Sequence, residues 1–215
     1  MGYAQSGLQN GATMVSAQFV NIGASYELPL DSLTPSGDDT EGVEIQTLTR
    51  GGVTDKFYTW NTWMYAEPCW VDGDLNPVEE VSFAPGAGLW VQGSSSSQGL
   101  QSAGKVGTED AVVQLRNGGT ATGNPFPTTV NLNDILPQGA DSTVDLEGVE
   151  IQTLTRGGVT DKFYTWNTWM YAEPCWVDGD LNPLDGVTFA PGAGLWVQGS
   201  SDKQYIRFPA PDLNN

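Results

Sequence analysis

The sequence predicts an all-β protein built from two tandem copies of a small β-sandwich or barrel-like module. Three observations predict this. The second half of the chain repeats the first, short β-rich segments alternate with Gly and Pro turns, and no window of about 11 residues shows the apolar stripe of a helix. The 215 residues also include 8 Trp, 7 Tyr and 7 Phe. Because disordered chains are poor in aromatic residues, we expect folded structure.

The repeat is identical over much of its length. Residues 41–77 and 147–183 match letter for letter, and residues 78–95 match 184–201 at all but four positions. The differing pairs are Val78 and Leu184, Glu79 and Asp185, Glu80 and Gly186, and Ser82 and Thr188.

The segments that precede this block have diverged, as in GATMVSAQF at 11–19 against GGTATGNPF at 118–126. We therefore predict one β module at residues 1–106 and a second at 107–215. Recent recombination explains the uneven divergence most simply, and a constraint on the identical part is the alternative.

Local patterns predict the elements of each module in order. TMVSAQF is typical of a first strand, and the short LDSL and LNDIL pieces can form one helical turn each. GVEIQTL alternates apolar and polar residues, TRGGVT contains a Gly-Gly turn, and DKFYTW is again rich in β-formers. These three segments predict a hairpin.

The later segments predict further short strands. CWVDGDL combines a strand with an Asp-Gly turn, and VSF and LWVQG are two strands on either side of the Pro-Gly turn in APGAG. YIRF near the C-terminus is typical of a last strand. Short strands at this spacing favour a sandwich or small barrel.

The charge balance excludes several classes of partner. With 26 acidic and 8 basic side chains the formal net charge is −18, so nucleic acid and anionic membrane surfaces are disfavoured. No apolar run reaches about 18 residues, which predicts no membrane span. The N-terminal sequence MGYAQSGLQNG lacks the features of a signal peptide. We expect a secreted or cell-surface protein whose signal has been removed, with a cytoplasmic protein as the alternative.

Catalysis is the least favoured class. The chain has no His, which is the commonest general base near neutral pH, and it lacks a nucleophile elbow, a P-loop and a dinucleotide-binding fingerprint. The acidic pair Glu79 and Glu80 becomes Asp185 and Gly186 in the second copy, so it is better explained as surface than as a glycosidase pair. We predict that the protein is not an enzyme.

The segment FYTWNTWMYAEPCW at 57–70 and again at 163–176 holds the densest group of aromatic residues. Exposed indole rings stack on the apolar faces of sugars, so a carbohydrate-binding platform is one interpretation. Closure of the module core is the other, and it is favoured because large aromatics dominate small β cores. The candidate glycan-binding residues are Trp60, Trp63 and Asp72 in the first copy and Trp166, Trp169 and Asp178 in the second.

The loop VDGDLNP places oxygen-bearing side chains at alternate positions, as calcium loops do at their start. The remainder of the EF-hand pattern is absent, and a tight Asp-Gly turn is the favoured interpretation. Calcium is the one cofactor that the sequence suggests. Its candidate ligands are Asp72, Asp74 and Asn76 in the first copy and Asp178, Asp180 and Asn182 in the second.

Each copy contains one cysteine, Cys69 or Cys175, at equivalent positions. A buried free thiol beside Trp70 is the favoured interpretation. A bridge between the copies, which requires their equivalent faces to meet, and a bridge between chains are the alternatives.

Short motifs in the chain resemble a family of repeated β-rich modules from secreted and cell-surface proteins of gut and environmental bacteria, including Bacteroidetes-type ones. Those modules have N-P-[FY]-P near the start and P-G-x-G-aromatic-aromatic-V near the end. Gly123–Pro127 and Pro191–Val197 match these motifs in the second copy, whereas Ala17, Gln18 and Phe19 replace the first motif in copy one. The resemblance implies an exported accessory module and implies no binding residues.

These observations predict a non-catalytic tandem-module protein with a structural, adhesive or interaction role, which acts through protein partners or self-association. Carbohydrate binding through the Trp platforms is the first alternative. The second is a subunit of a filament or surface layer, in which edge strands at GYAQS or YIRF are shared between chains.

Overall fold

The computed structural model confirms the predicted all-β class. It describes residues 2–7, 11–16, 20–21, 27–49, 51–94, 97–155 and 157–212. Within these ranges the regular structure consists of β-strands and two single turns of 3-10 helix, at Leu30–Ser32 and Leu132–Asp134. No helix in these ranges is long and apolar enough to cross a membrane.

The first half of the chain contains eleven of the described strands. They are β1 Gly2–Gly7, β2 Gly11–Ser16, β3 Val20–Asn21, β4 Leu28–Pro29, β5 Thr34–Ser36, β6 Glu44–Leu48, β7 Thr54–Asn61, β8 Cys69–Val71, β9 Ser82–Phe83, β10 Gly88–Gly93 and β11 Gly99–Val106.

The second half contains the other ten described strands. They are β12 Ala111–Gln114, β13 Gly118–Gly123, β14 Val130–Asn131, β15 Leu136–Gly139, β16 Glu150–Leu154, β17 Thr160–Asn167, β18 Cys175–Val177, β19 Thr188–Phe189, β20 Gly194–Gly199 and β21 Gln204–Phe208.

Two five-stranded antiparallel sheets have the same strand order. One runs β2-β10-β6-β7-β8 and the other runs β13-β20-β16-β17-β18. Smaller sheets accompany them. In the first half β11 pairs with β1, β3 and β5, and in the second half β21 lies between β12 and β15. The two-stranded pairs β4-β9 and β14-β19 complete the described pairings.

The central hairpin forms as its sequence predicts. Ile45 in β6 faces Tyr58 in β7, and the same pairing recurs between β16 and β17. The turn depends on Gly51 and Gly52, which have φ angles of 95° and 78° that other residues adopt only with strain. The N–H of Thr49 donates to the carbonyl oxygen of Val53 at 2.7 Å and closes the turn.

Other predicted strands are present, and the structure shows how they pair. The strands in VSF and LWVQG do not pair with each other, because β9 pairs with β4 while β10 lies between β2 and β6. YIRF is not an edge strand. It belongs to β21, whose two sides are both hydrogen-bonded within the sheet, so it cannot accept a strand from another chain. GYAQS does form a strand, β1, which among the described strands pairs with β11 alone.

Each half encloses its own hydrophobic core, and each core includes residues from the large sheet and from the smaller one. In the second half Ile151 of β16 and Ile206 of β21 are both fully buried in the same cluster. In the first half Trp70 lies edge-on to Trp60, with ring centroids 5.2 Å apart, and its Nε1 donates to the carbonyl of Leu33 at 2.8 Å. Apolar burial and satisfied indole donors therefore hold the two layers of each half together.

The NPFP motif in the second half has a structural role. Asn124 is fully buried at the end of β13, and its Nδ2 donates to the carbonyls of Thr128 at 2.7 Å and Ala190 at 3.1 Å. Its Oδ1 accepts the N–H of Phe126 at 3.0 Å, while the Phe126 ring fills the core. Ala17, Gln18 and Phe19, the corresponding positions of the first half, lie outside the described residues.

Replacing Asn124 with Ala should destabilise the fold by about 2–4 kcal/mol, because buried carbonyls lose their donor and cannot reach water. Chemical denaturation of N124A against the wild-type chain measures this loss. Asn133→Ala is the control, since this exposed side chain donates only to the carbonyl of Leu184. Equal midpoints for the two variants would show that the Asn124 bonds are not stabilising.

The two large sheets face each other at very short range. A Cβ placed on Gly88 would lie 2.5 Å from the carbonyl carbon of Ala121, and one on Gly194 would lie 2.5 Å from that of Met14. The contact is reciprocal, since Gly88 and Gly194 are equivalent residues of the repeated segment. Glycine at both positions is what permits the backbones to approach.

Gly88→Ala should destabilise the contact between the sheets by about 1–3 kcal/mol, because the new methyl group meets backbone that cannot move aside. Thermal unfolding followed by circular dichroism measures the effect. Gly73→Ala is the matched control, because its Cβ would meet only the ring of Phe57, which is half exposed. A midpoint for G88A as high as that for G73A would contradict the close approach.

Candidate functional site

Trp63 is exposed but held in place. It lies in the loop after β7, and 70% of its surface is accessible. Its Nε1 donates to Oε1 of Glu41 at 3.1 Å, and Oε2 of the same carboxylate accepts the backbone N–H of Thr62 at 2.6 Å. Because the edge of the indole is fixed by a carboxylate, the ring is presented to solvent in one orientation.

The second half repeats this arrangement. Trp169 is 68% exposed, its Nε1 donates to Glu147 at 3.2 Å, and the N–H of Thr168 donates to the same carboxylate at 2.6 Å. The sequence analysis did not identify Glu41 or Glu147. Each carboxylate lies 22 positions before the tryptophan that it anchors. Its place in the identical block is the only feature of the sequence that points to a role for it.

Two further exposed side chains lie in the Trp63 loop and in the loop after β8. The hydroxyl of Tyr65 donates to the carbonyl of Leu75 at 2.7 Å, which joins the Trp63 loop to the loop after β8. Leu75 is 49% exposed and has a left-handed φ of 64°. We call Trp63, Tyr65 and Leu75 the aromatic platform, and its copy consists of Trp169, Tyr171 and Leu181.

Trp60 and Trp166 do not belong to that surface. They are 9% and 8% exposed, and each lies edge-on to a second core tryptophan. The suggestion that they take part in a sugar platform is therefore wrong, and the core interpretation applies to them. Side chains alternate along β7, and Tyr58 and Trp60 lie on the face that packs against the core.

Asp72 organises its own loop. Its Oδ1 accepts the backbone N–H groups of Asp74 at 3.0 Å and Asn76 at 2.9 Å. Asp178 does the same for Asp180 and Asn182 in the second half. These are the bonds of an Asx-type turn. The N–H of Leu75 also donates to the carbonyl of Asp72 at 3.0 Å, which closes the tight turn predicted around Asp72 and Gly73.

The described residues contain no group of three or more Asp, Glu or Cys side chains arranged to hold a metal ion. Cys69 and Cys175 carry free thiols and are half buried.

The Asx turn makes the loop sensitive to acid. The backbone N–H of Asn76, and to a lesser extent that of Asp74, lowers the pKa of Asp72 below its ordinary value of 3.8. A carboxyl group with a depressed pKa stabilises the fold above its unfolded pKa, and this contribution is lost as the pH falls through the lower folded value. We expect carboxyl-carbon NMR of the native chain to give Asp72 a midpoint below 3.8.

The urea-unfolded chain is the control for that titration, because the turn is absent and the ordinary pKa should return. The same midpoint for Asp72 in the native and unfolded chains would contradict the hydrogen-bonded turn.

A cleft of about 460 Å³ lies between the two large sheets. Apart from Met14, its lining consists of six residues and their counterparts 106 positions later. The six are Gln46, Leu48, Gly51, Gly52, Thr54 and Trp90. The cleft is therefore almost symmetric, with the same chemistry on both walls.

Each cleft tryptophan reaches across to the other half. A Cβ on Gly158 would lie 3.2 Å from Cη2 of Trp90, and one on Gly52 would lie 3.8 Å from Cη2 of Trp196. The indoles thus extend from β10 and β20 to the Gly-Gly turn of the opposite hairpin. Trp90 and Trp196 were not among the predicted functional residues, since the alternation in LWVQG places the Trp opposite the core but does not show what it faces.

No protein-family model, no curated protein and no solved structure matches the chain. The function is therefore argued from the geometry of these surfaces.

Proposed function

We propose that this chain is a non-catalytic, secreted or cell-surface binding protein that presents two identical aromatic platforms to neutral glycans. The observation that carries the proposal is Trp63, whose ring is 70% exposed while its Nε1 is anchored on Glu41. A large apolar ring kept at the surface in a fixed orientation is costly for solubility and is typical of a binding surface. The same arrangement recurs at Trp169, so the chain presents the ring twice.

Sugar stacking suits this geometry. The axial C–H groups of a pyranose form an apolar face that an indole can cover, and a ring that is already ordered loses little entropy on binding. The formal charge of −18 disfavours anionic polymers through long-range repulsion. A neutral polysaccharide meets no such barrier.

Two copies of one β-sandwich module, residues 1–106 and 107–215, explain why the platform occurs twice. The matching strand orders of the large sheets support this division. Two weak sites on one chain gain avidity on a polymer that both can reach. The resemblance of the GNPFP and PGAGLWV motifs to a bacterial module family implies an exported accessory module, which is compatible with such a role.

The absence of histidine from the sequence and the lack of a recognisable nucleophile motif support a non-catalytic role. The acidic, glycine-rich composition and the resemblance to exported modules support a location outside the cell.

Removing both platform rings should abolish binding to insoluble polysaccharides. Trp63→Ala with Trp169→Ala removes the stacking surfaces, while each single variant should keep one site and lose roughly 10- to 100-fold in apparent affinity with the loss of avidity. Pull-down of the intact chain on cellulose, xylan, mannan and chitin measures this. Because both rings are largely exposed, the double variant should stay folded by circular dichroism.

Val112→Ser is the matched control, since Val112 is also exposed and apolar but lies on β12, away from the platform loops. Binding that survives in the folded double variant, or that V112S reduces equally, would overturn the proposal. Failure of the wild-type chain to bind any of the four polymers would also overturn it.

A further inference from the structure

We propose that the cleft between the two large sheets is a second, separate binding site, which takes one short neutral saccharide per chain between Trp90 and Trp196. The site does not depend on the aromatic platforms. It is formed by different residues, beside the Gly-Gly turns that precede β7 and β17, whereas the platform loops follow the ends of these strands. It occurs once rather than twice.

The walls of the cleft carry the groups that recognise a sugar. Trp90 and Trp196 supply two half-exposed indoles, one from each sheet. Gln46 and Thr54 add an amide and a hydroxyl, and their counterparts add the same groups on the other wall. Indole faces suit the C–H surfaces of a pyranose, while amides and hydroxyls pair with its hydroxyl groups.

The amides are held in a defined orientation. Thr54 Oγ1 donates to Oε1 of Gln46 at 2.6 Å, and Nε2 of Gln46 donates to Oε1 of Glu44 at 2.5 Å. Gln152 has the same partners in the second half. A side-chain amide has two N–H donors and two acceptor positions, so each glutamine retains one of each for a ligand. Their fixed geometry reduces the entropy that binding would cost.

The size and symmetry of the cleft limit the ligand. A volume of about 460 Å³ falls within the range of small-molecule sites and accommodates one or two sugar rings. Met14 breaks the symmetry, because its counterpart Ala121 does not line the cleft. A bound disaccharide therefore meets a bulky thioether on one side only, which favours one of its two orientations.

The cleft and the platforms can be observed separately in one experiment. The chain contains eight tryptophans, and biosynthetic 5-fluorotryptophan gives each a fluorine NMR signal that Trp→Phe variants assign. We would titrate the intact chain with cellobiose, xylobiose, mannobiose and chitobiose to about 10 mM, roughly tenfold above a millimolar Kd. The proposal expects at least one disaccharide to shift the Trp90 and Trp196 signals together, with saturation at one ligand per chain.

Two variants then test the assignment. Gln46→Leu with Gln152→Leu keeps the volume but removes the amides, and it should weaken the shifts of Trp90 and Trp196 by roughly tenfold or more in Kd. Trp63→Phe with Trp169→Phe is the control and should leave these shifts unchanged.

The outcomes separate the cleft from the platforms. Shifts confined to Trp63 and Trp169 would overturn the cleft site and leave the platform proposal standing. Shifts confined to Trp90 and Trp196 would support the cleft and count against the platforms. No shift of Trp90 and Trp196 with any of the four sugars, or shifts that Q46L/Q152L leaves unchanged, would overturn the cleft site.

Discussion

The close approach of the two large sheets at Gly88 and Gly194 is the constraint on which the rest of the structure depends. One face of β10 and one face of β20 cover the core of the half to which the strand belongs. In the first half, Leu89 and Val91 of β10 are buried in this way. The opposite face carries Trp90, which water would otherwise surround. Because glycine allows the backbones to meet there, each half covers this face of the other. Both tryptophans line the cleft between the sheets.

This reciprocal contact gives the chain the character of a symmetric dimer made from one polypeptide. In a twofold interface each residue occurs on both sides of the contact. In this chain a substitution in one repeat therefore alters one side, and the same substitution in both repeats alters both sides. The divergent strands β2 and β13 supply the surfaces that Gly194 and Gly88 touch, Met14 and Ala121. The symmetry is thus broken at the contact, while the platforms and most of the cleft lining remain identical.

Local chemistry explains which features could be predicted from the sequence. The Gly-Gly hairpin, the single helical turns and the tight Asp-Gly turn depend on neighbours in the chain, and the structure contains them at the expected positions. The position of YIRF in its sheet and the burial of Trp60 depend on strands that are distant in sequence. Trp90 was not predicted as a functional residue for the same reason. The alternation of side chains identifies the strand face opposite the core without showing that another sheet covers it.

The two kinds of surface are held in place by different contacts, and this bears on how each can act. The platform depends on Glu41, so its order comes from charge-assisted bonds at the protein surface. The cleft depends on the packing of one half against the other, so its shape is coupled to the contact at Gly88 and Gly194. A ligand that touches both walls binds only when the halves are docked, and it therefore stabilises their docking by the free energy of its own binding. A chain whose two platforms bind one polymer would gain avidity from that coupling. Docked halves hold the platforms at a fixed separation, which sets the effective concentration of the second platform once the first has bound.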